Sequence, residues 1–315
     1  MWRGMLYEIA RPRQRVFYCQ MRRFMLGRQS QPFATRLRCD RASLAPRLAC
    51  GLSDPGGYCM KLHVLASGSS GNCYCIENDN DLIFIDIGVT LTSVKKFIST
   101  LAPADYNISL FISHEHTDHI SGALPFIRSY KPSVFASAGT AAWLEEKGAA
   151  SVCIKDGQYC DFDSFAVVPF EVSHDAAEPM GFVVMTNHGN IGFATDLGCI
   201  TVKQLDHLQA ADMLVLEANH DVVMLKKGKY PYYLKRRIAG HKGHLSNNEA
   251  MGAVASLIES NLRHCLFAHV SEENNDYELL ERLKGFCEDK YNIQADVLRQ
   301  NEQRSFEFTP LNIFG

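Results

Sequence analysis

Ser113-His114-Glu115-His116-Thr117-Asp118-His119 follows directly on the apolar run Ile108-Ser109-Leu110-Phe111-Ile112, and its reading decides the fold. The apolar run has the length and composition of a buried strand. Histidines at i and i+2 project to the same side of an extended segment, so His114 and His116 can grip one cation through neutral imidazoles. Asp118 and His119 come next, where the chain turns away from the strand, and can reach a second cation beside the first. At this density, a polar loop that is histidine-rich by accident is the weaker reading.

The same grammar recurs along the chain. The run Leu82-Ile83-Phe84-Ile85 delivers Asp86, and 165–172 leads to Ser173-His174-Asp175. Likewise 191–195 leads to Asp196, 213–216 to Glu217-Ala218-Asn219-His220, and 265–268 to His269. Any one of these is more often a capped polar residue than a ligand. Their repetition implies side chains converging on one rim of a sheet sandwich. Between them the pattern predicts strands over 62–66, 73–77 and 133–136 and helices over 93–101, 122–130 and 140–147. The turn Ser67-Gly68-Ser69-Ser70-Gly71-Asn72 has a weak phosphate-loop look; a tight hairpin bordering the site is the preferred reading.

Composition sets the limits. With 315 residues, 46% of them hydrophobic, the chain can bury a large core. No apolar run approaches the roughly 18–20 residues needed to span a bilayer, so the expectation is a soluble protein without membrane association. Its eleven cysteines lack Cys-x-x-Cys spacing, which fits free thiols in a reducing cytoplasm. Residues 1–59 differ from the rest, with eleven arginines, no lysine and three acids. A transit peptide and a basic nucleic-acid arm are two readings of this extension. The preferred one is a disordered or untranslated upstream segment, with the true start at Met60, where a strand pattern begins at once. Residues 60–315 then form one domain holding 21 basic and 32 acidic residues. A polyanion must therefore be met by a local basic patch.

The series Asp86, His114-x-His116-x-Asp118-His119, His174, Asp196 and His269 resembles the metallo-β-lactamase superfamily across essentially all of 60–315. The resemblance implies an α/β (α+β) fold, a four-layer αββα sandwich with two divalent cations at one edge, zinc, manganese or iron. It implies that His114, His116 and His174 hold the first cation. Asp118, His119 and His269 hold the second, Asp196 bridges both, and Asp86 orients the loop. Gly243-His244-Leu245-Ser246-Asn247 and the later Leu266-Phe267-Ala268-His269 are similar to the end of tRNA 3′-processing phosphodiesterases, which gives His244 the role of proton donor. Ser69-Ser70-Gly71-Asn72, Glu217-Ala218-Asn219-His220-Asp221, Tyr230-Pro231-Tyr232-Tyr233 and Ser271-Glu272-Glu273-Asn274-Asn275 resemble the YycJ (WalJ) group, associated with 5′-to-3′ DNA exonuclease activity. That group often has tyrosine where this chain has His220, so His220 inherits no role.

Charge supports a nucleic-acid substrate. Between His220 and His244 stand Lys226, Lys227, Lys229, Lys235, Arg236, Arg237 and Lys242 against the single acid Asp221, interleaved with Tyr230, Tyr232 and Tyr233. Cations for phosphates and rings for unstacked bases suit a single strand entering an active site. Lys235, Arg236, Arg237, Tyr230, Tyr232, Asn219 and Ser69 are the expected substrate contacts, on a short basic loop. Only 47 residues separate Asp196 from His244, too few for the inserted cap of the β-CASP nucleases. The expected activity is metal-assisted phosphodiester hydrolysis, with His244, Asp118 and Asp86 as its catalytic set. A hydrolase of small esters, thioesters or lactams and a non-catalytic nucleic-acid-binding module are the alternatives; no protein partner is inferable.

Overall fold

A computed structural model describes residues 60–102 and 105–308; the expectations for 1–59 fall outside the described residues. The apolar runs assemble into two seven-stranded mixed sheets. The first contains β1 (Met60–Ala66), β2 (Cys73–Asn78), β3 (Asp81–Ile85), β4 (Asn107–Ile112), β5 (Ser133–Ala136) and β6 (Val152–Cys153), with β14 (Arg304–Phe308) beside β1. The second contains β7 (Cys160–Asp161), β8 (Phe165–Glu171), β9 (Met180–Thr186), β10 (Gly189–Ala194), β11 (Met213–Glu217), β12 (His264–Ala268) and β13 (Gln294–Val297), in spatial order 13-12-11-10-9-8-7.

Strand alternation decides which side chains meet. In β3, Ile83 and Ile85 face the second sheet, while Leu82 and Phe84 join the helices on the outside. In β11, Met213 and Val215 point between the sheets, while Leu214 and Leu216 point outward. Both faces are covered, which is why these strands read as unbroken apolar runs. Between the sheets, Phe111 stacks on Phe135 at 4.7 Å between centroids and meets Phe182 edge-on at 5.8 Å. Truncating such a ring to alanine costs about 3–5 kcal/mol.

Outside the first sheet lie α1 (Leu91–Ile98), α3 (Ala123–Tyr130) and α4 (Ala138–Glu146), with the short α2 (Thr117–Ile120) leading into α3. Outside the second lie α5 (Val202–Leu208), α8 (Asn247–Ser256) and α9 (Tyr277–Tyr291). The result is the four-layer αββα sandwich that the sequence led us to expect. One expectation changes: the stretch between His220 and His244 is not a loop but two short helices, α6 (Val222–Lys227) and α7 (Tyr232–Ile238). Asp221 caps α6, accepting from the Val223 and Met224 N–H groups. Among the described residues, no helix is long and apolar enough to cross a membrane.

Strands β3, β4 and β5 run parallel, as do β10, β11 and β12. Their C-terminal ends therefore open on common edges, the usual place for a site in such sheets. Three residues just beyond strand ends adopt left-handed backbone: Asp86 (φ 59°), Asp196 (φ 56°) and His269 (φ 52°). Each costs on the order of 1 kcal/mol for a non-glycine residue. Asp196 and His269 are expected ligands and Asp86 the residue expected to orient the loop, so the strain falls at the site, where the chain must break from the strand direction. Gly88 meets a different demand, since a Cβ there would sit 1.7 Å from the Asp118 carbonyl oxygen. Side-chain-free backbone lets the segment after β3 press against the loop that carries the expected ligands.

Candidate metal centre

Asp86 is the hub of the first half-site. Its Oδ1 accepts from the Ser113 N–H at 2.7 Å, and its Oδ2 accepts from Ser113 Oγ and His119 Nδ1, each at 2.7 Å. Ser113 Oγ in turn accepts from His114 Nδ1 at 2.9 Å. The carboxylate thus fixes the loop after β4 and turns two imidazoles so that their Nε2 atoms face the same interior. Ser113 is a participant that sequence reasoning missed; only the fold places it opposite Asp86. Asn72 is another, its Nδ2 lying 3.1 Å from His119 Nε2 and 3.3 Å from Asp118 Oδ2. The turn 67–72 therefore borders the site as a hairpin, held by the Gly71 N–H to Gly68 carbonyl bond. Ser67 Oγ also accepts from the His269 N–H at 3.0 Å.

The second sheet brings the other candidate ligands by the same device. His174 donates from Nδ1 to the Gly243 carbonyl at 3.0 Å, and His269 donates from Nδ1 to Glu217 Oε1 at 2.7 Å. With Nδ1–H committed, the Nε2 lone pair of each ring is left for a cation; metal-binding histidines are ordinarily oriented in this way. His174 Nε2 then lies 3.3 Å from His116 Nδ1. His119 Nε2 is 3.1 Å from Asp196 Oδ2 and 3.4 Å from Asp118 Oδ2, and His269 Nε2 is 3.6 Å from Asp118 Oδ2.

Two groups of donors result: His114, His116 and His174; and Asp118, His119, Asp196 and His269. They suit divalent metal ions on a specific observation. His114 Nε2, Asp196 Oδ2 and His269 Nε2 are buried without a hydrogen-bond partner. Buried polar atoms are rarely left unpaired, and here three converge on one interior, as ligand atoms of a cation would. Nitrogen and carboxylate oxygen donors together fit zinc, manganese or iron.

A third grouping, Asp196, Glu217, His244 and His269, reads differently. Glu217 is fully buried and completely engaged. Its Oε1 accepts from His244 Nδ1 at 2.8 Å and His269 Nδ1 at 2.7 Å, and its Oε2 from the Leu197 and Leu245 N–H groups at 2.9 and 3.2 Å. No lone pair of Glu217 is left for a cation, so its part is to orient two rings. The strand-end position of Glu217 was visible in the sequence, but its two histidine partners were not. His244 keeps a partly exposed ring, its centroid 5.1 Å from that of His174 and 5.3 Å from that of His269.

Protonation follows from these contacts. Burial drives the His114 imidazole well below its usual range, reinforced by the neighbouring His119. Burial likewise lowers His174. Burial resists charging His269, but Asp196, Asp118 and Glu217 outweigh it and raise the ring to about 10. For His119 burial is again outweighed, by Asp196 and Asp86, and the ring lies well above its usual range. Burial also opposes an imidazolium at His244, and Glu217 reverses the balance, raising it. Burial alone would raise Glu217, but His244 and His269 hold it down at about 2.

The expected substrate contacts divide. Asn219 is buried, and its Nδ2 donates to the His269 carbonyl at 2.9 Å, so it supports backbone instead of facing a substrate. Lys235 Nζ donates to the Lys226 and Gly228 carbonyls at 2.9 and 2.6 Å and ties α7 to the end of α6. Arg236 lies over the Tyr232 ring at 5.9 Å. Tyr232 is 76% exposed and Tyr233 75%, so both rings face solvent. Tyr230 is half-buried, and Ser69 is exposed on the hairpin turn. His220 is buried, with Nδ1 unpartnered.

Residues 96–269, more than half of the chain, match the beta-lactamase superfamily domain, and this is the class that the sandwich and its edge site define. The metallo-beta-lactamase fold protein YhfI from Bacillus subtilis superposes with a TM-score of 0.61 at 11% identity, covering 79% of this chain and 100% of that one. The chain is 35% identical over 235 residues to Exodeoxyribonuclease YycJ of Bacillus anthracis, covering 70% of this chain and 86% of that protein. It is 32% identical over 231 residues to Exodeoxyribonuclease WalJ of Streptococcus pneumoniae serotype 2, covering 70% and 84%. This chain belongs to the YycJ/WalJ family of the β-lactamase superfamily.

Proposed function

We propose that the chain is a metal-dependent exodeoxyribonuclease that removes nucleotides from the 5′ end of a DNA strand. The observation that carries this reading is the convergence of the unpartnered His114 Nε2, His269 Nε2 and Asp196 Oδ2 beside the Glu217-held His244. In this reading His114, His116 and His174 hold one divalent ion, Asp118, His119 and His269 a second, and Asp196 serves both. Bound there, the ions supply Lewis-acid polarisation of the phosphodiester and acidify water to furnish the nucleophile.

The chain's own groups do the rest. Asp86 and Ser113 keep the His114 and His119 rings in the ligating tautomer. Glu217 accepts a hydrogen bond from His244 Nδ1–H and stabilises the imidazolium, whose Nε2–H is then the proton given to the departing alkoxide. Because Glu217 raises the affinity of His244 for that proton, the acid stays loaded nearer neutral pH. Exposed Tyr232 and Tyr233 offer faces for unstacked bases, and the surrounding cations attract the backbone. A small-ester hydrolase would need neither. The cysteines among the described residues are free thiols, as in a reducing cytoplasm.

The test is degradation of 5′- and 3′-labelled single-stranded and duplex DNA with Mn²⁺, with His116→Ala in parallel. Stepwise loss from the 5′ end that disappears in the variant is expected. Absence of degradation by a protein carrying its metal would refute the nuclease reading.

A further inference from the structure

One ion pair stands directly on the rim of the centre. Arg237, in α7, donates from Nε to Asp175 Oδ2 at 2.6 Å. Asp175 follows His174 in the chain, and its Oδ1 lies 3.5 Å from His174 Nε2, the nitrogen that faces His116. A single carboxylate therefore spans from a guanidinium to a ligand ring. Partial exposure of both side chains, 57% for Arg237 and 31% for Asp175, makes the pair a weak contributor to stability. Its placement suggests a different use. Arg237 is anchored through Nε alone, and its two Nη groups have no partner among the described residues. That planar fork matches two oxygens of a phosphate. The neighbouring cations are otherwise engaged: Lys235 on the carbonyls of α6, and Arg236 against Tyr232.

We infer that Arg237 grips the non-bridging oxygens of the phosphodiester being cleaved, and that Asp175 is the positioning residue that holds it beside His174. The inference rests on the phosphodiesterase reading above and sharpens it, because only one of the seven cations between His220 and His244 touches the reacting group. The rest act on affinity for the strand.

The full chain, loaded with Mn²⁺, is assayed on a single-stranded oligodeoxynucleotide and on bis(p-nitrophenyl) phosphate, with metal content measured for each variant. Arg237→Gln is expected to lower kcat about 10–100-fold on both substrates with metal content unchanged, as for loss of a donor to developing charge. Arg236→Gln should act on KM for the oligonucleotide. Asp175→Asn should follow Arg237→Gln in direction, Asp175→Glu should recover part of the rate, and the double variant should be no worse than Arg237→Gln alone. Wild-type kcat in Arg237→Gln overturns the inference. So does loss of metal in Asp175→Asn, which would make Asp175 a ligand. If the wild type cleaves the small diester but not DNA, the DNA reading fails, while slowing of that cleavage by Arg237→Gln still supports the inference. Cleavage of neither substrate overturns both.

Discussion

Replacing Glu217 by Gln changes almost no volume and removes one charge, at a position where every lone-pair direction is used. The carboxylate receives two ring N–H groups on Oε1 and two backbone N–H groups on Oε2. A carboxamide has one oxygen, so whichever way it turns, one pair of donors meets an NH₂ group. Losing two charge-assisted hydrogen bonds at about 1.5–3 kcal/mol each gives an expected destabilisation of roughly 3–6 kcal/mol. For a domain of this size that corresponds to a fall in Tm of about 6–24 °C. Catalysis should suffer separately. Without the Glu217 charge, burial lowers the His244 pKa against Asp196 alone, and a general acid of the kind proposed for His244 is worth about 10²–10⁴-fold in rate. His244 is raised in the folded protein, so its acid function is present below its pKa and lost as pH rises through it. The alkaline limb of the kcat profile should therefore move to lower pH in Glu217→Gln. The assay is kcat against pH on a labelled oligonucleotide, beside thermal unfolding and metal analysis. A variant with the wild-type alkaline limb and rate would refute the assignment of Glu217 as the group that holds the acid.

His116→Ala should abolish turnover through loss of metal, whereas His244→Ala should retain its metal and lose about 10²–10⁴-fold in kcat; metal analysis beside kinetics separates the two. Chelation should remove activity and Mn²⁺ restore it. Asp196, Asp118 and Glu217 raise His269 to about 10, so cation uptake near pH 8 should release protons, and affinity should fall as pH falls; titration in two buffers of different ionisation enthalpy measures this. Far from the centre, Asp296 accepts from His264 Nε2 at 2.8 Å and Arg304 Nη2 at 2.9 Å. Although burial opposes the charge, these partners depress Asp296 to about 2. Its folded value lies below its unfolded one, so its stabilisation is complete above about pH 4 and is lost as pH falls toward 2. Asp296→Asn should cost on the order of 1–2 kcal/mol at pH 7 and flatten the acid side of the Tm profile between pH 5 and 2.

Much of the fold and site is written locally. Strand 82–85 ending at Asp86 and strand 108–112 ending at the histidine cluster are legible because an apolar run and its interruption are short-range signals. The proposed ligands follow the same rule, polar residues wherever a buried strand emerges: His114, His116, Asp118 and His119 after one strand, and His174, Asp196 and His269 after three others. The charge of the 220–244 stretch was equally plain.

What the chain does with those charges depended on tertiary structure. Lys235 and Arg237 are two residues apart, yet one is spent on carbonyls of α6 and the other reaches Asp175, because the packing of a short helix determines which side chain meets which element. Asn219 reads as a substrate contact until β11 and β12 pair and its amide is taken by the His269 carbonyl. Ser113 meets Asp86 across 27 residues, and Glu217 meets His269 across 52. The sequence by itself determined which residues end the strands. Only the order and register of those strands decided which hydrogen bond turns each ring, since such a bond reaches about 3 Å and nothing local encodes what lies at its far end.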